Sequence, residues 1–425
     1  MKRYFLLGVN ASTLRSLRHR SYKIYFFSQL LSQTGSWAQS IAQSWLVYRL
    51  TGSAATLGLL SFAEQLPAFL LGPLAGVVCD RANLRWLIAL GQALLTVQAI
   101  ALAFLTLTHH VQTWHVFVLA VFSGLVNSFD IPARQTVLVD LVKKEDIPNA
   151  IALNSSLYNT ARVIGPALAG LVIGAWGEGF CFAFNALTFL PMIVGLGFIN
   201  LRHRPKLAQP PAIFRSFQQG ISFVWHNESI RRVLCLSYAT CFAGFSFLVL
   251  MPVMVKVVFK GDARLLGILM SITGVGAVLG SLVLASRAAT ARIEPVIILS
   301  GFVFSLLLVA FGATHSMFFS IPLLAALGFF MVSQMASSNT LIQMKAPEAL
   351  RGRILSIYFM GFTGFSPLGA VLAGHLANRI GAPLTIILSG AACSLAMVWF
   401  KLGFRPMPLE QIQPSYEAAC SKING

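Results

Sequence analysis

The sequence predicts an all-α integral membrane protein with twelve transmembrane helices in two six-helix halves. The chain is 56% hydrophobic, its mean hydropathy is +0.76, and most of its 31 Lys and Arg fall on alternate connections between apolar stretches. A helix needs about 20 apolar residues to cross a hydrocarbon layer about 30 Å thick. The predicted spans are 24–48, 54–79, 84–107, 114–138, 149–176, 179–199, 233–258, 265–286, 293–313, 317–341, 351–377 and 382–401.

The charge balance predicts the orientation of the chain. The formal net charge is +18, and short loops rich in Lys and Arg remain in the cytosol. We therefore expect both termini to be cytosolic and the protein to lie in the bacterial inner membrane. Because the basic residues mark topology rather than a phosphate-binding face, nucleic acid is not an expected partner. No Cys-x-x-Cys pair occurs, and we expect no metal and no cofactor.

The spacing of polar segments predicts five regions. They are a basic N-terminus at 1–23, a six-helix bundle at 24–199, a cytosolic linker with an amphipathic helix at 200–232, a second bundle at 233–401, and a cytosolic tail at 402–425. The linker has apolar residues at helical spacing, which is typical of a helix lying on a membrane surface. We expect the proline-containing tail to be disordered.

The first span carries five polar residues at spacings of three and four, so all lie on one helix face. Lipid penalises such a face, which predicts that it lines a cavity or forms interhelical hydrogen bonds. These residues are Gln29, Gln33, Ser36, Ser40 and Gln43.

The second span contains one acid, Glu64, which could gain and lose a proton or remain neutral and hydrogen-bonded. Gly72 and Gly76 form a Gly-x-x-x-Gly pattern that predicts a close helix contact. Asp80 stands where the span ends and basic residues begin, so it could pair with arginines or cap a helix.

The fourth span carries Asn127, Asp130 and Arg134 on one face, with the two charges four residues apart. Each charge at mid-bilayer costs about 2.5–3.5 kcal/mol on insertion scales. The pair is therefore either a functional site or a structural ion pair.

The fifth span adds Asn154, Tyr158 and Arg162 along a single face. Arg162 could compete for Asp130, or it could extend toward the cytosol. The two asparagines and the tyrosine are candidate cavity-lining residues.

The two halves of the chain repeat one order of features. Glu145 follows the fourth span and Glu348 follows the tenth, and each precedes a span that contains a proline motif, at Pro166 and Pro367. Parallel repeats of six spans are typical of transporters whose substrate site lies between the halves.

The segment from Gly76 to Arg85 resembles the loop-2/3 motif of the major facilitator superfamily. The matching residues are Gly76, Asp80, Arg81, Asn83 and Arg85. Asn83 replaces the motif's second glycine, Leu84 replaces its middle basic residue, and the second-half copy has Leu284 in place of the acid. The resemblance implies a conformational latch on one half only.

In the fifth span, Gly165, Pro166 and Gly170 resemble the antiporter motif of that superfamily. The runs 129–135 and 149–155 look like the branch of enterobactin-type exporters, also called transmembrane secretion effectors. The resemblance covers about residues 15–402.

Residues and resemblance together predict a monomeric secondary transporter that exports a small amphipathic molecule (a siderophore, drug or other metabolite) in exchange for protons. Asp130 and Glu64 are the candidate proton carriers, with Arg134 and Arg162 as partners. Uptake, lysophospholipid flipping, or a sensor or scaffold that does not transport are the alternatives. No nucleophile and base are placed to indicate an enzyme.

Overall fold

The structure is a computed structural model that describes residues 14–199, 213–286 and 293–403, and every regular element in these ranges is a helix. Residues 1–13, the first part of the predicted linker, the loop residue Arg287 and the predicted disordered tail beyond residue 403 lie outside the described residues.

Six long helices precede the linker, with short 3₁₀ turns at Arg15–Arg18 and Lys144–Asp146. They are α1 (Arg20–Thr51), α2 (Ala54–Arg81), α3 (Leu84–Leu107), α4 (Thr113–Leu138), α5 (Ile147–Trp176) and α6 (Glu178–Phe198).

Eight further helices follow. They are α7 (Ile213–His226), α8 (Glu228–Ala239), α9 (Ser246–Val253), α10 (Ala263–Ala285), α11 (Glu294–Ala313), α12 (Met317–Lys345), α13 (Glu348–Ile380) and α14 (Ala382–Gly403). A π-helical turn at Thr240–Gly244 joins α8 to α9, and a second at Met254–Val258 follows α9. Glu228–Val258 is thus one candidate membrane span.

Ten helical segments among the described residues are long and apolar enough to cross a membrane. The helices α1 and α5 have 32 and 30 residues but are not among the ten. Both carry the polar faces that the sequence marks as candidate cavity lining, and those faces lower their hydropathy. The chain is an integral membrane protein, and the exact number of twelve spans stays a prediction.

The chain divides into two compact units. The first comprises Met1–Gln43 and Leu71–Ala208, and the second comprises Ser44–Leu70 and Gln209–Gly425. The first therefore contains most of α1, the end of α2, and α3 to α6.

The first unit has a core of aromatic and aliphatic side chains that includes Tyr22, Tyr25, Ile88 and Val137. Within a membrane, such side chains stabilise a helix bundle by van der Waals packing rather than by transfer out of water. Gly177 separates α5 from α6 with a φ of 92°, a conformation that glycine adopts without steric cost.

The second unit has its own core, with Val233, Ile297, Tyr358 and Phe400 among its buried members. Here α10 and α12 approach at backbone distance. A methyl group added at Gly276 would overlap the carbonyl oxygen of Ala325.

The predicted close helix contact at Gly72 and Gly76 is wrong. A methyl carbon at either position would meet no atom of the described residues within 4 Å. A Gly-x-x-x-Gly pattern permits close approach, but contact also requires a second helix to pass the glycine face.

Candidate functional site

A buried ion pair lies within α4 of the first unit. Nη2 of Arg134 is 2.5 Å from Oδ2 of Asp130, and the two side chains are 3% and 0% exposed. The predicted pairing along one helix face is therefore present. The helix places the two charges together because residues four apart are neighbours on its surface.

Gln92 of α3 binds the same carboxylate oxygen as the arginine. Its Nε2 donates to Oδ2 of Asp130 at 3.0 Å, and its Oε1 accepts from the Ser32 hydroxyl at 3.1 Å. Both residues are fully buried, and the sequence analysis did not single out either one. An amide inside the strongly apolar α3 was the available signal, because unpaired amides are costly in lipid.

Arg134 is held by residues of α1. Its Nη1 donates to Oε1 of Gln29 at 3.1 Å, and Nε2 of Gln29 donates to the Tyr158 hydroxyl at 3.2 Å. The Tyr25 hydroxyl donates to the Arg134 carbonyl oxygen at 3.0 Å. The arrangement joins α1, α3, α4 and α5, and we call Ser32, Gln92, Asp130, Arg134, Gln29 and Tyr158 the charged network.

Two atoms of the charged network are buried without a hydrogen-bond partner among the described residues, Oδ1 of Asp130 and Nε of Arg134. Gly91 provides the space beside the carboxylate, because a methyl carbon there would lie 3.0 Å from Oδ1. A buried ionised oxygen without a partner is unfavourable. Oδ1 is therefore the carboxylate oxygen that neither Arg134 nor Gln92 occupies.

Arg162 is not part of the charged network. Its guanidinium carbon lies 5.5 Å from the ring centroid of Trp37 in α1, and its Nε is buried without a hydrogen-bond partner in the described chain. The predicted competition for Asp130 does not occur in this structure, where Arg134 and Gln92 occupy that carboxylate.

The remaining polar residues of the α1 face differ in burial. Gln43 is buried, whereas Gln33, Ser36 and Ser40 are half-buried, as are Asn127 and Asn154 on their own helices. Gln29 is fully buried and bonded, so it supports the ion pair. The other residues keep their assignment as candidate cavity lining.

A second buried polar cluster was also missed by the sequence analysis. Gln39 of α1 donates to Gln98 of α3 at 3.0 Å and accepts from Asn185 of α6 at 2.8 Å. The cluster contains no charge and ties three helices together, so it is a packing feature.

Glu64 lies in the part of α2 that belongs to the second unit, and its side chain is half-buried. Within the described ranges it makes no hydrogen bond or ion pair. It therefore remains a second candidate proton carrier, without the preformed partners that Asp130 has.

The candidate latch begins at the end of α2. Asn83 caps α3 by accepting a hydrogen bond from the Arg85 backbone N–H at 3.1 Å, and the Arg85 side chain donates to the Ile199 carbonyl oxygen at the end of α6. Arg81 is exposed, and the side chain of Asp80 lies outside the described residues.

The antiporter-motif glycine brings α5 against α1. A methyl carbon at Gly165 would lie 2.9 Å from the Thr34 carbonyl oxygen and would overlap the Cβ of Trp37. Pro166 and Gly170 are buried. Arg162 precedes Gly165 by about one helical turn on α5. The contact between α5 and α1 therefore places Trp37 beside Arg162.

Comparison with known sequences assigns the class. The sequence model described as "Transmembrane secretion effector" matches residues 11–419. A solved bacterial homologue of the human lysosomal transporter Spinster has the same fold, with a TM-score of 0.64, 14% identity and coverage of 98% of each chain. The protein is therefore a membrane transporter, not an enzyme. It belongs to the transmembrane secretion effector family of the major facilitator superfamily, which confirms the resemblance.

Three curated relatives are similar over nearly the whole chain. The staphyloferrin A transporter of Staphylococcus aureus is 25% identical, covering 89% of this chain and 95% of its own. The multidrug efflux pump Tap of Mycolicibacterium fortuitum is 26% identical, covering 88% and 92%. The enterobactin exporter EntS of Shigella flexneri is 23% identical, covering 92% of each chain.

Proposed function

We propose that this protein is a twelve-span, monomeric secondary transporter that exports a small amphipathic molecule in exchange for protons. The single observation that carries the proton coupling is the buried Asp130–Arg134 pair with the unpartnered Oδ1 of Asp130. The export direction is supported by two relatives, a multidrug efflux pump and an enterobactin exporter.

The proposed coupling step moves one proton and rearranges one ion pair. In one conformation Asp130 is ionised and paired with Arg134. In the other conformation Oδ1 takes up a proton, the carboxyl becomes neutral, and Arg134 keeps only its hydrogen bond to Gln29. Release of the proton to the opposite side restores the pair. The transporter thus alternates between two states whose relative stability depends on the protonation of one group.

The proposed division into halves follows the sequence repeat, with bundles at 24–199 and 233–401. The basic N-terminus and linker support cytosolic termini in the bacterial inner membrane. Asp80, Arg81, Asn83 and Arg85 are proposed as a latch at the cytosolic end of the first half. The anchoring of Arg85 to the end of α6 supports this role, because it fixes the loop to one bundle.

The test is transport by Asp130→Asn in everted membrane vesicles and in proteoliposomes. The substrate would be a radiolabelled compound selected because it thermally stabilises the purified wild-type protein. Asparagine keeps the shape and the hydrogen-bond acceptor but cannot release a proton. We expect loss of accumulation driven by a proton gradient, while exchange of labelled for unlabelled substrate at equal pH continues.

Asp140→Asn is the matched control, since Asp140 follows α4 outside the charged network. Accumulation by Asp130→Asn against a gradient would make the ion pair structural, and Glu64→Gln would then be tested in the same way. Wild-type accumulation in right-side-out vesicles would indicate uptake. Binding without any transport by the wild type would indicate a sensor.

A further inference from the structure

Arg162 lies at the middle of α5 in the first unit. It lies 15 residues from the start of α5 and 14 from its end, so about 22 Å of helix separates it from either end of this element. Asp130, by contrast, is eight residues from the end of α4, or about 12 Å. The two sites are therefore on different helices and at different positions along them.

The charge of Arg162 is uncompensated in the described structure. No carboxylate among the described residues forms an ion pair or a hydrogen bond with it, and its Nε is buried without a hydrogen-bond partner. Asp130 is already neutralised by Arg134 and bonded by Gln92. An isolated cation inside an apolar layer is unfavourable, and such residues commonly mark binding sites.

Trp37 adds an aromatic surface to this cation. The ring and the guanidinium are in cation–π contact at 5.5 Å, and both side chains are only half-buried. Gly165 allows this arrangement, because its lack of a side chain lets α5 pack directly against the Trp37 Cβ and the Thr34 carbonyl oxygen of α1. A planar cation and an aromatic face are therefore presented together by a rigid contact between two helices.

We propose that Arg162 and Trp37 form the recognition site for an anionic group, a carboxylate or phenolate, attached to an aromatic or apolar body. Guanidinium binds carboxylates with two parallel hydrogen bonds, and the indole face packs against the adjoining ring. This inference rests on the proposed transport function, since it names the class of molecule carried. It assigns Arg162 to substrate recognition rather than to proton coupling.

Two half-buried neighbours extend the site along the same helix faces. Gln33 lies one turn from Trp37 on α1, and Tyr158 lies one turn from Arg162 on α5. The Tyr158 hydroxyl also accepts a hydrogen bond from Gln29, which in turn holds Arg134. Tyr158, one turn from Arg162, is therefore linked through two hydrogen bonds to Arg134 of the ion pair proposed to carry the proton.

The experiment measures binding rather than transport. Purified full-length protein in detergent is titrated by calorimetry with 4-phenylbenzoate, with its uncharged amide 4-phenylbenzamide and with 4-phenylbenzylammonium. We expect wild-type protein to bind the carboxylate at least about tenfold more tightly than the amide, because only the carboxylate provides two charge-assisted acceptors. The ammonium probe should be bound most weakly.

Variants test which residues cause the preference for the carboxylate probe. Arg162→Gln should reduce the ratio of carboxylate affinity to amide affinity to about one. Arg162→Lys should retain part of this preference, because lysine keeps the charge but lacks the paired N–H donors of the guanidinium. Trp37→Leu should weaken both the carboxylate and the amide. Arg379→Gln removes an exposed arginine of α13 and should behave as wild type.

The thermal midpoint without probe supplies a second readout. Arg162→Gln should leave it unchanged or raise it, because the charge that is removed has no carboxylate partner among the described residues. An unchanged carboxylate preference in Arg162→Gln, or equal binding of all three probes by wild type, would overturn the proposal. Binding as expected in a protein that does not transport would leave this inference standing and remove the transport proposal instead.

Discussion

The same glycine pattern occurs in both halves of the chain but makes a close contact in only one. Aligning the two loop motifs places Gly276 and Gly280 of α10 at the positions of Gly72 and Gly76 of α2. A methyl carbon at Gly280 would lie 2.5 Å from the Phe329 carbonyl oxygen, whereas the two α2 glycines face no described atom within 4 Å. The glycines that permit close helix contact occur in both halves, but tertiary packing determines where two helix backbones come into contact.

The two halves also differ in the polar residues at corresponding positions of α4 and α12. Aligning Glu145 with Glu348 places Ser333 and Ser337 of α12 at the positions of Asp130 and Arg134. The hydrogen bonds described in this region of the second unit are neutral, including one from Ser333 to the Phe329 carbonyl oxygen at 2.7 Å and one from Gln334 to Thr240 at 3.0 Å. At these aligned positions, therefore, only the first half carries charge.

The largest expected effect comes from breaking the ion pair. Arg134→Gln should lower the free energy of unfolding by about 3–5 kcal/mol, because it leaves the Asp130 carboxylate buried without its counter-charge. At the corresponding position, Ser337→Ala should change it by no more than about 1 kcal/mol. Denaturant unfolding of the purified proteins in detergent micelles measures both.

The double variant Asp130→Asn/Arg134→Gln sharpens this comparison. It should recover most of the lost stability, since neither neutral side chain leaves a buried charge. Equal losses from Arg134→Gln and Ser337→Ala, or a double variant as unstable as the sum of the singles, would contradict the electrostatic difference between the halves.

The glycine comparison predicts an intermediate effect. Gly276→Ala should destabilise the protein by about 1–3 kcal/mol, because the added methyl group overlaps the Ala325 carbonyl oxygen and forces α10 and α12 apart. Gly72→Ala is the matched control and should stabilise α2 by up to about 1 kcal/mol through helix propensity. Thermal unfolding measures the two shifts. Destabilisation by Gly72→Ala as large as that by Gly276→Ala would show that α2 also has a tight contact there.

The smallest expected effect on stability comes from charged residues at helix ends, which occur in both units. In the first, His19 (2.7 Å) and Arg15 bind the Asp146 carboxylate, and these hydrogen bonds hold the pKa of Asp146 below its usual range. In the second, Lys345 lies 3.6 Å from Glu294 and donates to Ser229 at 2.9 Å. Asp146→Asn should lower the thermal midpoint slightly at pH 7.

The pH dependence tests this assignment. A carboxylate with a lowered pKa stabilises the fold above its unfolded value of about 3.9, and the contribution disappears as the pH falls through the folded value. The difference between wild type and Asp146→Asn should therefore be present at pH 7 and decline below about pH 4. A difference that persists unchanged at low pH would indicate a contribution from shape rather than charge.

Sequence alone determined the features that lie within one helix or follow from composition. Apolar length and resemblance predicted the helical membrane class and the family, and the helical period placed Arg134 one turn from Asp130. Such neighbours are fixed by 3.6 residues per turn, whatever the rest of the protein does.

Only the tertiary structure decided which helices meet. It brought Gln92 and Ser32 to the ion pair and placed Trp37 rather than Asp130 beside Arg162. It also left Gly72 with no atom of the described residues within 4 Å of an added methyl carbon. These contacts depend on how helices pack across a bundle, and residues far apart in sequence share no period that would reveal them. A polar side chain in an apolar helix indicates that a partner is required, but the fold chooses that partner.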